Sequence, residues 1–472
     1  MNVKERESFS SRFGFIIVSI SCAIGLGNVW LMPYRAGMYG GALYILLVFA
    51  FLFALSVPVL LIEYAIGRGS GLSATRAFHK LEPKGTKWHF IGYIAVIGSY
   101  LLLMFFTVVC GIILMYFWKA VTGDLIGASS EEIGAAFGAV TSRAGLMYGL
   151  TFVVILICLG CCFAGLKKGV ERASKYMMGT FFFVAIALLI RALTLPGAYE
   201  GVRFLLIPNL DAIREHGVMR ILHLAMGQAL FSLSVGIGCM LIFGSYASKE
   251  KRLSGEAFTV GVLDFTVIML MLFVIFPTAF AFGIPATAGE ALLFVTMPNV
   301  LNAMPGAYVW SLVFYAGLFF VATSTAIAVM ECIVAMTMDK FGWTRKKAVL
   351  VNLVVMAILI IPGAFGRNIL APAAPILGAF PHWGAFFTFL VMENVLPLGS
   401  FFMLLFVRRN QSGWGWDNFL ANANMGSTGW KLPAGTRIYI GYVLPAVIGF
   451  IFVWGHLQRW VFPRLGWFGF GG

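Results

Sequence analysis

The sequence predicts an all-α polytopic membrane protein of about 11 transmembrane helices, arranged as a 5+5 inverted repeat with helices 1 and 6 discontinuous. Three observations predict it. Of 472 residues, 60% are hydrophobic and only 11% charged, whereas a soluble domain carries about a quarter charged residues. The apolar residues gather into eleven stretches near the roughly 20 residues that cross a bilayer. Two of those stretches, five spans apart, are interrupted at mid-depth by glycine and other small residues. This composition excludes a soluble globule and a disordered tail. The net charge of +14 points to nucleic acid only until the basic residues are placed.

Residues 1–12 are polar and form an N-terminal segment. The first apolar run is too long and too broken by glycine for a signal peptide. A first repeat, 13–195, contains spans 13–36, 42–66, 89–118, 146–165 and 176–195. A connection, 196–217, leads to a second repeat, 218–408, with spans 218–245, 257–283, 307–338, 347–363 and 384–407. A loop, 409–437, precedes an eleventh span, 438–461, and a short tail to 472. Lys and Arg collect on the cytoplasmic side of membrane proteins. Lys4, Arg6 and Arg12, then Arg68, Arg76, Lys80, Lys84 and Lys87, then Lys167, Lys168, Arg172 and Lys175 fall on one side, as do Lys249, Lys251 and Arg252, Lys340 to Lys347, and Arg408 to Arg437. The N-terminus is therefore expected in the cytoplasm, and 196–217 and the C-terminus outside (extracellular or periplasmic). The chain is expected to be a multi-pass protein of the plasma (inner) membrane. The basic excess follows from topology, and no nucleic-acid partner is expected. The cysteines are odd in number and mostly apolar in setting, so no structural disulfide is expected.

Span 1 carries Gly25-Leu26-Gly27-Asn28 at its middle and Pro33 beyond; span 6 carries Ser232-Leu233-Ser234-Val235-Gly236-Ile237-Gly238. Glycine costs about 1 kcal/mol against alanine inside a helix. A broken helix exposes carbonyls and amides, which hydrocarbon does not tolerate unless they face protein or a cavity. Five spans is an odd number, so the second half is inverted relative to the first, with a binding site expected between the broken helices.

At these residues the sequence resembles the neurotransmitter:sodium symporter family. The matching stretches are Ser11-Arg12-Phe13-Gly14, Gly25-Leu26-Gly27-Asn28, Glu63 to Arg68, Gly227-Gln228 through Gly238, and Thr323-Ser324-Thr325-Ala326. The resemblance implies two Na⁺ ions and no organic cofactor. The first would be held by the Ala23 carbonyl, Asn28, Ser232 and Asp264. The second would be held by the carbonyls of Ser21, Ile24 and Val321 and the hydroxyls of Ser324 and Thr325. Oxygen ligands suit a hard cation. Asp264 is a mid-span carboxylate, which costs roughly 2.5–3.5 kcal/mol and needs compensation. The family commonly has asparagine there and many members bind chloride nearby, so an aspartate in place implies independence of chloride. Glu63 is implied to support the free backbone groups at the breaks. Glu331, six residues after Thr325, faces roughly 240° away from it. The substrate, a small molecule, would sit among Ala23, Leu26, Gly27, Leu102, Phe106, Phe231, Ser232, Ser234, Ile237, Thr325 and Val329. Amides at a half-helix N-terminus would attract a carboxylate.

Three departures from the family accompany these matches. Phe106 stands where a tyrosine is usual. Leu31 stands where the outer-gate arginine is usual, and 378–388 holds no acid to partner one. Arg35, one helical turn beyond Leu31 and on the same face, is the candidate for a displaced outer gate. The inner gate is implied by Arg6, Phe9, Tyr246 and Asp339.

The leading expectation is a sodium-coupled secondary symporter that imports a small amino acid or related amine or osmolyte by alternating access. The alternatives are a transport-inactive, sodium-dependent ligand sensor on the same fold and a proton-coupled transporter using Asp264 or Glu331. An enzyme is not expected: no metalloprotease, nucleophile-elbow or Walker pattern is present, and the six histidines are scattered. The expected partners are the small substrate and the lipid bilayer; the sequence marks no oligomer face.

Overall fold

The computed structural model describes residues 7–283, 292–371 and 380–461. Nine of its helices are long and apolar enough to cross a membrane: Ala42–Ser70, Phe90–Thr122, Ala144–Phe163, Leu166–Leu193, Leu253–Ala281, Ala307–Phe341, Arg345–Phe365, Trp383–Arg408 and Thr436–Val461. Arg12–Ala23 and Gly27–Met38, bent by 50° at their junction, together make a tenth. Span 6 is Val218–Ser232 and Cys239–Tyr246. At 1.5 Å per residue neither half alone reaches across a core about 30 Å thick. The chain is thus all-helical where spans are concerned, with both expected interruptions.

Span 8, Ala307–Phe341, is the axis. Its most apolar window is 94% buried within the protein, against 33% for span 11, Thr436–Val461, so span 8 is wrapped by helices and span 11 faces outward. Span 8 packs against spans 3, 4 and 5 and the first half of span 1. Spans 1, 2, 6 and 7 form a second packed group, in which the half-helix Cys239–Tyr246 lies along span 2.

Prolines recur within the helices, four of them in spans and Pro298 in the shorter helix Leu292–Asn302, without ending them. Pro33, Pro58, Pro298, Pro397 and Pro445 each stand just after a widened turn, at Gly27–Leu31, Leu52–Ser56, Leu292–Thr296, Leu390–Val395 and Tyr439–Val443. Proline lacks an N–H and its ring crowds the carbonyl one turn back. A wider i→i+5 turn makes room for it and lets the helix continue.

One boundary corrects the sequence reading. Span 5 begins at Leu166, not 176, because Gly165 (φ 92°) ends span 4 and the chain re-enters helix at once. Lys167, Lys168, Glu171, Arg172 and Lys175 are therefore helical, not loop. Glu171 is buried: it accepts the Ser10 N–H (3.0 Å), the Ser10 hydroxyl and Lys175 Nζ (2.7 Å). Gly14 makes this possible, since a Cβ there would lie 2.1 Å from the Glu171 carboxylate. Arg6 lies outside the described residues. All seven cysteines are free thiols.

Candidate functional site

The first half of span 1 ends where Ile24 leaves the helix for extended backbone (φ −78°, ψ 95°), and helix resumes at Gly27. The break thus covers 24–26, and Gly27 and Asn28 open the outer half. Carbonyls at a helix C-terminus have no following amides of their own. Here they are met from other spans. The Cys22 carbonyl accepts Ser234 Oγ (2.8 Å) and the Ile24 carbonyl accepts Thr325 Oγ1 (2.8 Å); in the outer half, the Gly27 carbonyl, already bonded to the Met32 N–H, also accepts Gln228 Nε2 (3.0 Å).

Asn28, Ser232 and Asp264, from spans 1, 6 and 7, meet in one buried cluster. Asn28 Nδ2 donates to Asp264 Oδ1 (2.6 Å); Ser232 Oγ lies 2.8 Å from Asn28 Oδ1 and 2.5 Å from Asp264 Oδ2. A serine hydroxyl has one proton, so it can serve only one of those two oxygens at a time. With Asp264 ionised, three oxygens converge with one hydroxyl proton among them. Both partners of Asp264 are neutral, and its side chain is fully buried. A buried carboxylate without a cation is costly, so this donor set fits a small hard cation. Ala23, also expected here, is buried at the end of the half-helix.

Of the second expected set, Ile24, Val321, Ser324 and Thr325 are brought together. The Val321 carbonyl accepts both Ser324 Oγ (2.9 Å) and Thr325 Oγ1 (3.1 Å). These bonds to the helix's own carbonyl are ordinary back-bonding. The bond from Thr325 to Ile24 is different, because it crosses to the broken helix. Ser324 Oγ also approaches Met178 Sδ (3.4 Å). Ser21 is buried and its hydroxyl donates back to Ile17.

Span 6 is interrupted over 233–238. Ser234 has φ +50°, the only positive value at a non-glycine among the described residues, and Gly236 and Gly238 also have positive φ. A Cβ on Gly236 would stand 2.3 Å from the Leu396 carbonyl, so only glycine fits. Here amides are exposed, and one carboxylate takes them: Glu63 accepts the Gly236 N–H (2.6 Å) and the Leu241 N–H (3.1 Å). Arg68, one turn on, instead holds the Ser248, Lys251 and Asn422 carbonyls.

Between the breaks, the Phe231 ring packs on Gly27, and Phe106 and Thr325 crowd Gly25. Leu26, Leu102, Ile237 and Val329 are buried; Val329 is one turn beyond Thr325, and Ile237 packs beside Gly98 of span 3. The expected lining is thus apolar apart from Ser232, Ser234, Thr325 and backbone.

Toward one face, Phe9 stacks edge-on against Tyr246 (5.8 Å between centroids) and Phe15 (5.8 Å). A cavity of about 440 Å³ opens beside them, between the N-terminal segment and the 246–256 region. Asp339 accepts the Ser73 N–H (2.6 Å). Sequence reasoning did not find one buried ion pair here. Glu331 is fully buried and accepts both terminal nitrogens of Arg345 (2.7 and 3.0 Å) and the Tyr246 hydroxyl (3.3 Å); Arg345 also reaches Glu7 (3.0 Å).

Toward the other face, Arg35 is buried and donates to the Leu224 carbonyl (3.2 Å), which the Tyr44 hydroxyl also reaches (3.2 Å). The span-10 acid on this side is Glu393, later in the span than 378–388. It lies 3.4 Å from His223 of span 6 and 3.1 Å from Arg459 of span 11. Its position five residues beyond the searched segment was the available signal.

A family model described as "Sodium:neurotransmitter symporter family" matches residues 6–133 and 138–453. An uncharacterised sodium-dependent transporter of Bacillus subtilis is 30% identical over 96% of this chain and 98% of its own length. Another, from Methanocaldococcus jannaschii, is 33% identical over 76% of this chain and 75% of its own. Among solved structures, MhsT in complex with L-phenylalanine matches with a TM-score of 0.87 and 31% identity, covering 95% of this chain and 100% of that one.

Proposed function

The chain belongs to the sodium:neurotransmitter symporter family, and on that premise we propose that it imports a small amino acid, or a related amine or osmolyte, by sodium-coupled alternating access without a chloride requirement. It is a multi-pass membrane protein and a sodium-dependent transporter, not an enzyme. The observation that carries the reading is the buried cluster of Asn28 Oδ1, Ser232 Oγ and Asp264 Oδ2, which with Asp264 ionised has too few protons for its oxygens. Sodium is cargo at this cluster. A cation there relieves the contacts between oxygens and offsets the Asp264 charge, which removes the need for a separate anion. A second ion at Ile24, Val321, Ser324 and Thr325, with the Ser21 carbonyl, would replace hydroxyl protons that now occupy the same carbonyls.

Because both sets use span 1 together with spans 6, 7 or 8, ion binding favours the arrangement in which those spans are drawn together. A ligand shifts such an equilibrium only by its differential affinity for the two states. The substrate pocket follows from the same break. The amides of Leu26 and Gly27 head the outer half-helix, where unpaired N–H groups attract a carboxylate. The carbonyls of Ala23, Phe231 and Ser232 suit an ammonium. The apolar lining of Leu102, Phe106, Phe231, Ile237 and Val329 suits an apolar or small remainder. L-Phenylalanine, bound by MhsT, is the first substrate to try. Residues 13–195 and 218–408 act as the two inverted repeats, with the N-terminus in the cytoplasm and the C-terminus outside. Phe9, Tyr246 and Asp339, with Arg6, close the inner side.

The test is uptake of labelled amino acids into proteoliposomes. Uptake is expected only with an inward sodium gradient and is expected to persist when gluconate replaces chloride. Uptake unchanged in choline buffer defeats the sodium reading, and dependence of that uptake on a proton gradient selects proton coupling. Sodium-dependent binding without flux selects the sensor.

A further inference from the structure

The loop between spans 2 and 3 brings together two histidines that the sequence keeps ten residues apart. His79 lies near the end of the short helix Ala74–Leu81, Glu82 follows that helix directly, and His89 precedes span 3, Phe90–Thr122. His79 Nδ1 and His89 Nδ1 stand 2.8 and 2.9 Å from the same Glu82 oxygen, Oε1. The three atoms all lie within 4.8 Å of one another. The other Glu82 oxygen accepts the His89 N–H (3.0 Å), which fixes the carboxylate's direction. The Glu82 side chain is 6% exposed, whereas His79 is 71% exposed.

We propose that His79, Glu82 and His89 form a binding site for a divalent transition metal of the zinc class. Two imidazole nitrogens and one carboxylate oxygen are the three-ligand set of open zinc sites, with a fourth position left to water or an anion. Zinc bonds of about 2.0–2.1 Å in a tetrahedron separate donor atoms by about 3.4 Å, so the Glu82 oxygen draws back by about half an ångström and the two imidazole nitrogens, within 4.8 Å of each other, settle to the same spacing. A cavity of about 450 Å³, lined by Thr75, Arg76, His79, His89, Tyr93 and Lys340, gives room for the fourth ligand. Arg76 and Lys340 in that wall oppose dications held by charge alone and favour an anionic fourth ligand. Magnesium and calcium, which prefer all-oxygen shells, are thereby selected against, while metals that bind imidazole strongly are retained. A bound metal would tie the loop helix to the base of span 3. That helix already reaches span 8 through Thr75 Oγ1 to the Met336 carbonyl (3.2 Å).

The experiment is zinc titration of the purified full-length chain, free of any polyhistidine tag, by competition with a chromogenic chelator and by thermal shift. The expected result is one zinc per chain at micromolar concentration, with a rise in melting temperature and no response to magnesium. His79→Ala and His89→Ala are each expected to weaken binding by on the order of tenfold or more, and the double variant to abolish it. His79 is exposed, so His79→Ala tests the site in a folded chain; His216→Ala is the control and is expected to bind as the parent does. The proposal is overturned if the parent takes up no zinc, or if the double variant binds it as the parent does.

Discussion

The two helix breaks are repaired in opposite ways. At the span 1 break, the carbonyls that end the inner half-helix are met by neutral hydroxyls with one proton each: Ser234 on Cys22 and Thr325 on Ile24. In span 6 the break exposes amides, and one fully buried carboxylate, Glu63, takes two of them. A neutral hydroxyl can turn away and leave its oxygen, and the carbonyl it served, to a cation. A carboxylate holding two N–H groups has nothing equivalent to offer in exchange. The first break is therefore built to trade partners and the second to stay closed. Polarity explains the division: a helix C-terminus presents negative partial charge and an N-terminus positive. A sodium site belongs to the former, a fixed acid to the latter.

Substitutions separate the two roles. Glu63→Ala leaves two buried amides unpaired at about 1–3 kcal/mol each. It is expected to lower the melting temperature most and to resist rescue by sodium; thermal shift with and without sodium measures this. Glu63→Gln keeps one acceptor and is expected to lose about half as much. If sodium restores Glu63→Ala fully, the second break is also exchangeable and the contrast fails. Asp264→Asn is expected to remain folded but to raise the sodium concentration for half-maximal stabilisation by on the order of 100-fold, the worth of about 3 kcal/mol for a charged ligand. It is also expected to create a response to chloride. An unchanged sodium titration removes Asp264 from the ion site. Thr325→Val loses one hydroxyl and is expected to shift the same titration by about fivefold, near 1 kcal/mol, with no change in chloride response. Ser234→Gly relieves a left-handed backbone but loses the bond to Cys22. These effects oppose each other, so melting in sodium-free buffer is expected to move by less than about 1 kcal/mol.

Much of this was legible along the chain. The first break was placed at 25–28 and occurs at 24–26; the second was placed at 232–238 and occurs at 233–238. Glycine and serine at mid-span report local backbone cost, which a sequence displays directly. The Asn28–Ser232–Asp264 cluster was reached only through resemblance, because its members come from three spans. The partners of Glu331 and Glu393 were not reached at all. Arg345 is fourteen residues from Glu331 across a turn, and Arg459 is sixty-six from Glu393. Arg35, read as a displaced gate, donates to a backbone carbonyl. The start of span 5 was misplaced because its charges read as loop, whereas Glu171 is buried against Ser10.

By itself the sequence determined that the chain spans a membrane many times, on which segments its basic residues collect, and where two helices cannot continue. Hydrophobic length, charge placement and helix propensity are sums over neighbouring residues, so they need no knowledge of the fold. Only the tertiary structure decided which polar group answers each exposed backbone atom, that His79 and His89 share one carboxylate oxygen, and which acids are paired. Those outcomes depend on packing between spans distant in sequence. There the low dielectric makes an unmatched charge too costly to leave, yet nothing local names its partner.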